Sequence, residues 1–111
     1  MSNSGNAFKN EAIREIDASS ITTSYQDLGP PVSHRAYIIT VYNYTNGQVY
    51  LRRTSDPTGV NTKRFPPTTA RISDYKTDDG IEDDGTQYQV KWAGSAPGSP
   101  SGTFWIEVEY V

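Results

Sequence analysis

The chain has 111 residues and a mass of 12.3 kDa, a length that fits a single domain around one core, and its net charge is −3. It contains no cysteine, which excludes disulfides and thiolate metal sites, and no apolar run approaches the ~20 residues of a membrane span. The acidic balance argues against nucleic acid or an anionic membrane as the main partner, and eight Tyr against two Leu favour sheets over a helical bundle.

The N-terminal residues are rich in Ser, Asn and Gly and too poor in apolar side chains to fold alone. We therefore predict a flexible arm over residues 1–12, ordered only on a partner, and one domain over residues 13–111. A short strand is expected through Ile13 and Ile16, because turn residues follow it directly. A second strand is expected over residues 21–28, where a Gly-Pro-Pro sequence stops it.

The strongest strand pattern covers residues 35–44, where apolar side chains fall on both faces. This indicates a central strand, or a strand that uses one face at a subunit contact. Asn46 and Gly47 separate it from a second strand pattern over residues 48–53. An Asn-Gly pair between two strands predicts a type I′ hairpin, because both central positions need positive φ.

Later residues alternate between strands and turns. Strands are expected over residues 69–75 and 86–92, and a Gly/Ser/Pro-rich loop over residues 93–101 precedes a strictly alternating strand over residues 103–110. Seven or eight short antiparallel strands predict an all-β, single-domain β-sandwich of jelly-roll type. The inward positions predict the core: Tyr37, Ile39, Val41, Val49, Leu51, Tyr88, Val90, Phe104, Ile106 and Val108.

Two polar features suggest metal sites, each with a simpler interpretation. The carboxylates from Asp78 to Asp84 could hold Ca²⁺, but their spacing does not fit an EF-hand loop, and a solvated turn is preferred. His34, the sole histidine, is expected in a loop or on the surface, with a zinc site shared by three subunits as the alternative. No catalytic constellation is apparent, so we predict no enzymatic activity and no cofactor.

The candidate interface residues are Phe8, Tyr50, Arg52 and Trp105. Tyr50 and Trp105 fall on outward positions of their strands, and such aromatics are enriched at protein interfaces and sugar-stacking surfaces, unless the chain's own loops cover them. Arg52 belongs to a modest basic patch that could orient assembly against an acidic neighbour. The glycosylation sequon at Asn43 is given no weight without a secretion signal.

Four stretches are distinctive together, namely residues 16–29, 41–46, 85–91 and 101–110. In this order they resemble small all-β virion structural proteins of tailed bacteriophages, which sit on the capsid surface or in the neck and tail. The resemblance covers most of the chain, although the segment over residues 52–59 is bulkier and more basic than the small-residue loop of those proteins.

The resemblance implies a non-enzymatic protein that works by assembly. The expected role is an oligomeric cement or decoration protein on the capsid, or otherwise a neck or tail connector. Its partners would be the major capsid protein or neck and tail proteins, with no direct role for nucleic acid or membrane. Its location would be the virion, assembled in the cytoplasm of a bacterial host.

A carbohydrate-binding, lectin-like β-sandwich is the alternative. It would use Trp105, Tyr50 and a Ca²⁺ ion at the acidic turn. The polar arm favours the assembly role, because such arms become ordered on neighbouring subunits. Binding to capsids or tails, as opposed to glycans, would discriminate the two.

Overall fold

The computed structural model describes residues 9–34, 36–53, 63–67, 73–76 and 85–110. The strands in this part of the chain are β1 Lys9–Asn10, β2 Arg14–Asp17, β3 Gln26–Asp27, β4 Ala36–Asn43, β5 Val49–Arg53, β6 Lys63–Phe65, β7 Ser73–Lys76, β8 Tyr88–Trp92 and β9 Thr103–Tyr110. One 3₁₀ turn, Ala18–Ser20, follows β2. The predicted all-β class is confirmed. The described strands number nine and not the predicted seven or eight, because the count includes β1 and β3, which are only two residues long.

The strands form two antiparallel sheets. In the large sheet the order is β1, β9, β4 and β7, and β2 also pairs with β9; in the small sheet the order is β3, β8, β5 and β6. β9 is the centre of the large sheet, since β4 lies along one edge and both N-terminal strands lie along the other. Within the described ranges, no helix is long and apolar enough to cross a membrane.

The core lies between the inner faces of the two sheets. Nine of the ten predicted core residues are buried: Ile39, Val41, Val49, Leu51, Tyr88, Val90, Phe104, Ile106 and Val108. Trp92, Leu28 and Val32 join them. The tenth, Tyr37, lies where the register between β4 and β9 shifts, and its side chain is outside the described part of the structure.

The predicted hairpin between β4 and β5 is wrong. β4 pairs with β7 and β9 in the large sheet, whereas β5 pairs with β6 and β8 in the small sheet, so the intervening loop crosses from one sheet to the other. The side chain of Asn46 directs this crossing. It donates to the carbonyl of Ser99 at 2.8 Å and accepts from the backbone N–H of Ser101 at 3.0 Å.

Gly47 is required in this loop for space and not for a positive φ. Its φ is not among the positive glycine values of the described chain. A Cβ at this position would lie 2.8 Å from both the Trp92 ring and the Pro97 ring. The loop therefore passes directly over the core tryptophan, an approach that a β-carbon would prevent.

Residues 9–12, which we assigned to the flexible arm, belong to the sandwich instead. Lys9 and Asn10 pair with β9, and the Glu11 N–H donates to the Val108 carbonyl at 3.0 Å. The pairing continues the antiparallel ladder along an edge of β9 that would otherwise leave backbone groups unpaired. Residues 1–8 of the predicted arm lie outside the described residues.

Candidate interaction surfaces

The outer face of the large sheet carries a cluster of stacked aromatic rings. Tyr42 and Trp105 lie directly opposite each other on β4 and β9, with ring centroids 4.9 Å apart and an interplanar angle of 15°. The Tyr44 ring lies 4.8 Å from Trp105 at 11°. All three side chains are half-buried. The face therefore presents three nearly parallel rings that are already packed against one another.

The strand pattern explains why these rings meet. Residues two apart on a strand share a face, so Tyr42 and Tyr44 extend to the same side. Tyr44 follows the end of β4, and its N–H donates to the Thr103 carbonyl at 3.0 Å, which keeps the backbone beside β9. Cross-strand aromatic pairs of this kind stabilise a sheet by roughly 0.2–1 kcal/mol. The cluster is thus a rigid part of the sheet.

Carboxylates surround this aromatic cluster. Glu107 and Glu109 occupy the next outward positions of β9, while Glu15 and Asp17 of β2 lie opposite Trp105 and Thr103. Among the side chains that the structure describes, no Lys or Arg occupies an outward position of this sheet. On β7 the backbone register places one residue of each charge at outward positions, Asp74 opposite Thr40 and Lys76 opposite Ile38, so the face stays acidic. We call this surface, formed by the aromatic cluster and its four carboxylates, the acidic face.

Cations and tyrosines alternate on the outer face of the small sheet. The Arg52 guanidinium lies 3.7 Å from the Tyr25 ring centroid, and Lys91 Nζ lies 4.8 Å from the same ring. Lys91 Nζ and the Arg64 guanidinium each lie 5.8 Å from the Tyr50 ring. A cation within about 6 Å of a ring is attracted to its face, by about 0.5–1 kcal/mol at exposed sites. We call this surface the basic face.

Pairing and hydrogen bonds hold the basic face together. Tyr50 of β5 lies opposite Lys91 of β8, and Arg52 lies opposite Gln89. Arg52 Nε donates to the Gln89 Oε1 at 3.0 Å, and Gln89 Nε2 donates to Asp27 Oδ1 at 2.9 Å. Among the side chains described on this face, the carboxylate of Asp27 is thus bound to an amide, and the three cations determine the charge of the face.

Of the predicted interface residues, Tyr50 and Arg52 lie together on the basic face, whereas Trp105 lies on the opposite surface of the sandwich. Phe8 lies outside the described residues. The sequence patterns predict no interface role for the neighbouring rings Tyr25, Tyr42 and Tyr44, or for Lys91. For Tyr42 the signal was present, because its strand position is outward; Tyr25 precedes β3 in an irregular segment without a periodic pattern.

A buried charged cluster lies at one edge of the large sheet. The Arg14 side chain is only 3% exposed and donates to the Glu11 carboxylate at 2.7 Å. It also donates to the carbonyls of Ala12 at 3.0 Å, Pro30 at 2.9 Å and Pro31 at 3.0 Å. A buried guanidinium is stable only when its donors are satisfied, and here they connect β2 to the loop that precedes β4.

The Glu11 carboxylate completes this connection. It accepts from the backbone N–H groups of Ser33 and His34 and lies 3.0 Å from His34 Nδ1. The imidazole stacks on Tyr110 with a centroid distance of 3.7 Å. Burial alone would raise the pKa of Glu11, but the bonds from His34, Ser33 and Arg14 and the Arg14 charge hold this pKa below its usual range. His34 is thus anchored to the domain and half exposed.

The structure tests neither of the two metal hypotheses directly. The acidic turn from Asp78 to Asp84 lies outside the described residues. In the part of the chain that is described, no three His, Asp or Glu side chains converge as metal ligands would. His34 lies in a loop and is half exposed, as expected, and the alternative of a zinc site shared by three subunits is not tested by a single copy of the chain. Asn43 is fully buried with its amide nitrogen donating to two carbonyls, so its sequon is inaccessible.

Comparisons with protein-family models, with curated proteins and with solved structures find no match to this chain. The two outer faces are therefore the observations that bear most directly on its function. They share an aromatic character and differ in charge.

Proposed function

We propose that the chain is a non-enzymatic structural protein of a tailed-bacteriophage virion, acting as an oligomeric cement or decoration protein on the head. The observation that supports assembly best is the half-buried cluster of Tyr42, Tyr44 and Trp105 on an outer sheet face. Large aromatics are the side chains most often responsible for binding energy at protein interfaces. Rings already held by stacking lose little further conformational freedom when a partner covers them.

The virion setting rests on the resemblance over residues 13–111 to small virion proteins. A decoration protein is present in many copies, so weak individual contacts add up through avidity. A rigid sandwich with two different outer faces suits that use, because one face can contact the capsid lattice or another copy while the other remains available. A neck or tail connector would use the same surfaces at another position on the particle.

The aromatic cluster also favours a second candidate, a lectin-like module. A sugar ring binds by stacking on an open aromatic face. Here Tyr42 and Tyr44 both stack on Trp105, at 4.9 and 4.8 Å, and therefore occupy part of the ring surface that a sugar would use. Assembly through ring edges and flanking carboxylates makes better use of this arrangement.

The test is attachment to particles of the phage whose genome encodes the chain, prepared without it. Wild-type protein is expected to sediment with the particles. Trp105→Ser should weaken attachment by more than about tenfold, the effect expected of a central interface aromatic. Ser95→Ala is the control, because Ser95 is exposed in the loop between β8 and β9 and lies at no strand position of either face. Wild-type protein that remains in the supernatant and binds glycans through Trp105 would favour the lectin-like module instead.

A further inference from the structure

We infer that copies of this chain associate head to tail, with the acidic face of one copy against the basic face of the next. The inference rests on the proposed assembly role and names a second copy of the chain as one partner. It follows from the opposite charges of the two outer sheet faces, which lie on opposite sides of one small domain.

The charge difference between the faces is large for a chain of net charge −3. The described side chains of the acidic face include four carboxylates: Glu15, Asp17, Glu107 and Glu109. The register adds Asp74 and Lys76 at outward positions of β7, whose opposite charges leave the face acidic. Those of the basic face include three cations, Arg52, Arg64 and Lys91, with Asp27 as the carboxylate. Surfaces arranged in this way attract each other during encounter and disfavour a reversed orientation.

The aromatic residues of the two faces would supply the apolar part of the contact. Trp105 is followed along β9 by Glu107, and Tyr50 lies opposite Lys91 on the neighbouring strand. A cation from one copy can therefore approach a ring and a carboxylate of the next copy together. Arginine and lysine bind carboxylates, while the aromatic side chains of both faces supply apolar contact area, so each face offers partners for the other.

The same charges disfavour contacts between identical faces. Two acidic faces in contact would bring two sets of four carboxylates together, and juxtaposed like charges cost several kcal/mol at an interface. A contact between different faces leaves one face of each kind free at the ends. Such heterologous contacts extend until the copies close into a ring, or continue as a filament.

The area available predicts a weak contact. β4 and β9 have eight residues each, and β2 and β7 have four each. At about 3.3 Å per residue and about 4.8 Å between strands, they give the acidic face a projected area of roughly 400 Å². Stable specific interfaces bury about 800 Å² on each partner. We therefore expect association that depends on ionic strength and on the presence of several copies.

A charge exchange between the two faces tests this arrangement. The first variant, Glu15→Lys with Glu107→Lys and Glu109→Lys, leaves Asp17 as the one described carboxylate of its acidic face and so makes both faces basic. The second, Arg52→Glu with Lys91→Glu, makes both faces acidic. Each variant alone should associate at least about tenfold more weakly than wild type in sedimentation velocity at low salt, because its faces repel. An equimolar mixture should recover association, since each face then finds one of opposite charge.

Lys9→Glu is the control, because Lys9 is exposed and its register opposite Tyr110 lies off the acidic face. Its association should match that of the wild type, and circular dichroism should show every variant folded. A monomeric wild type, or a mixture that fails to associate, would overturn the head-to-tail contact. The first variant can also be mixed with the wild type. If this mixture associates more strongly than the wild type alone, the natural contact joins two acidic faces, and the head-to-tail contact is overturned. In each case, retained particle binding would leave the virion role intact.

Discussion

The Asn43 amide nitrogen lies 2.9 Å from the Phe65 carbonyl oxygen, a buried hydrogen bond that joins β4 of the large sheet to β6 of the small sheet. The same nitrogen donates to the Gly47 carbonyl at 3.0 Å, and the amide oxygen accepts from the Thr45 N–H at 3.0 Å. One side chain therefore satisfies backbone groups at the point where the chain changes sheets. These bonds explain why the polar side chain of Asn43 can be fully buried at this position.

Asn43→Ala should destabilise the domain by more than about 2 kcal/mol, because each buried polar group left without a partner costs about 1–3 kcal/mol. Urea unfolding measures the change. Asn46→Ala is the comparison, since the Asn46 bonds are exposed and water can replace them. Equal losses in the two variants would contradict the role assigned to Asn43.

Gly47→Ala should cost about 1–3 kcal/mol, as over-packing against a core residue does. The added Cβ would lie 2.8 Å from Trp92 and from Pro97. Gly98→Ala in the following loop is the control, because its Cβ would meet no atom within 4 Å. Thermal unfolding should show a lower melting temperature for Gly47→Ala than for Gly98→Ala. An equal decrease in the two variants would indicate a general effect of replacing glycine and not a packing effect.

Arg14→Met should destabilise the domain by about 3–5 kcal/mol, because it leaves the buried Glu11 carboxylate without its charged partner. Replacing both residues, as Glu11→Gln with Arg14→Met, should recover most of the loss, since no buried charge remains. Urea unfolding of the wild type, both single variants and the pair gives the coupling energy. Strictly additive losses would show that the two side chains do not act as a pair.

Stability should fall in acid because of Glu11. Its pKa in the folded chain is lowered, since the bonds from His34, Ser33 and Arg14 outweigh the opposing effect of burial. The unfolded chain therefore binds more protons in acid, and this contribution to stability is complete above the ordinary carboxyl range of about pH 4–5. It is lost as the pH falls through the lower folded pKa. Between pH 7 and pH 3, the free energy of unfolding should fall less for Glu11→Gln than for the wild type. An equal fall in the two proteins would contradict the assignment to Glu11.

The alternating strand patterns predicted which side chains face inward. Phe104, Ile106 and Val108 are buried, and Trp105 between them is outward, because period-two alternation depends only on local backbone geometry. Strand pairing did not follow from such local signals. Asn46 forms its hydrogen bonds with Ser99 and Ser101, which lie 53 and 55 positions later in the chain. These distant contacts override the hairpin preference of the Asn-Gly pair.

The candidate surfaces were predictable only in part, for the same reason. The outward positions of Tyr50 and Trp105 follow from alternation, but their location on opposite surfaces depends on which sheet each strand joins. The Arg52–Tyr25 contact involves a ring before β3 with no periodic pattern. The polar composition that suggested an arm over residues 1–12 likewise concealed the ion pair between Glu11 and Arg14.

The central claim is that this chain is a structural subunit of a virion, and electron cryomicroscopy of the particle that encodes it tests the claim most directly. The expected map shows β-sandwiches at regular positions on the head, with Trp105 at a protein contact. Mass spectrometry of the same particles should give many copies per virion. Particles that lack the chain altogether, while infected cells contain it free, would contradict the account.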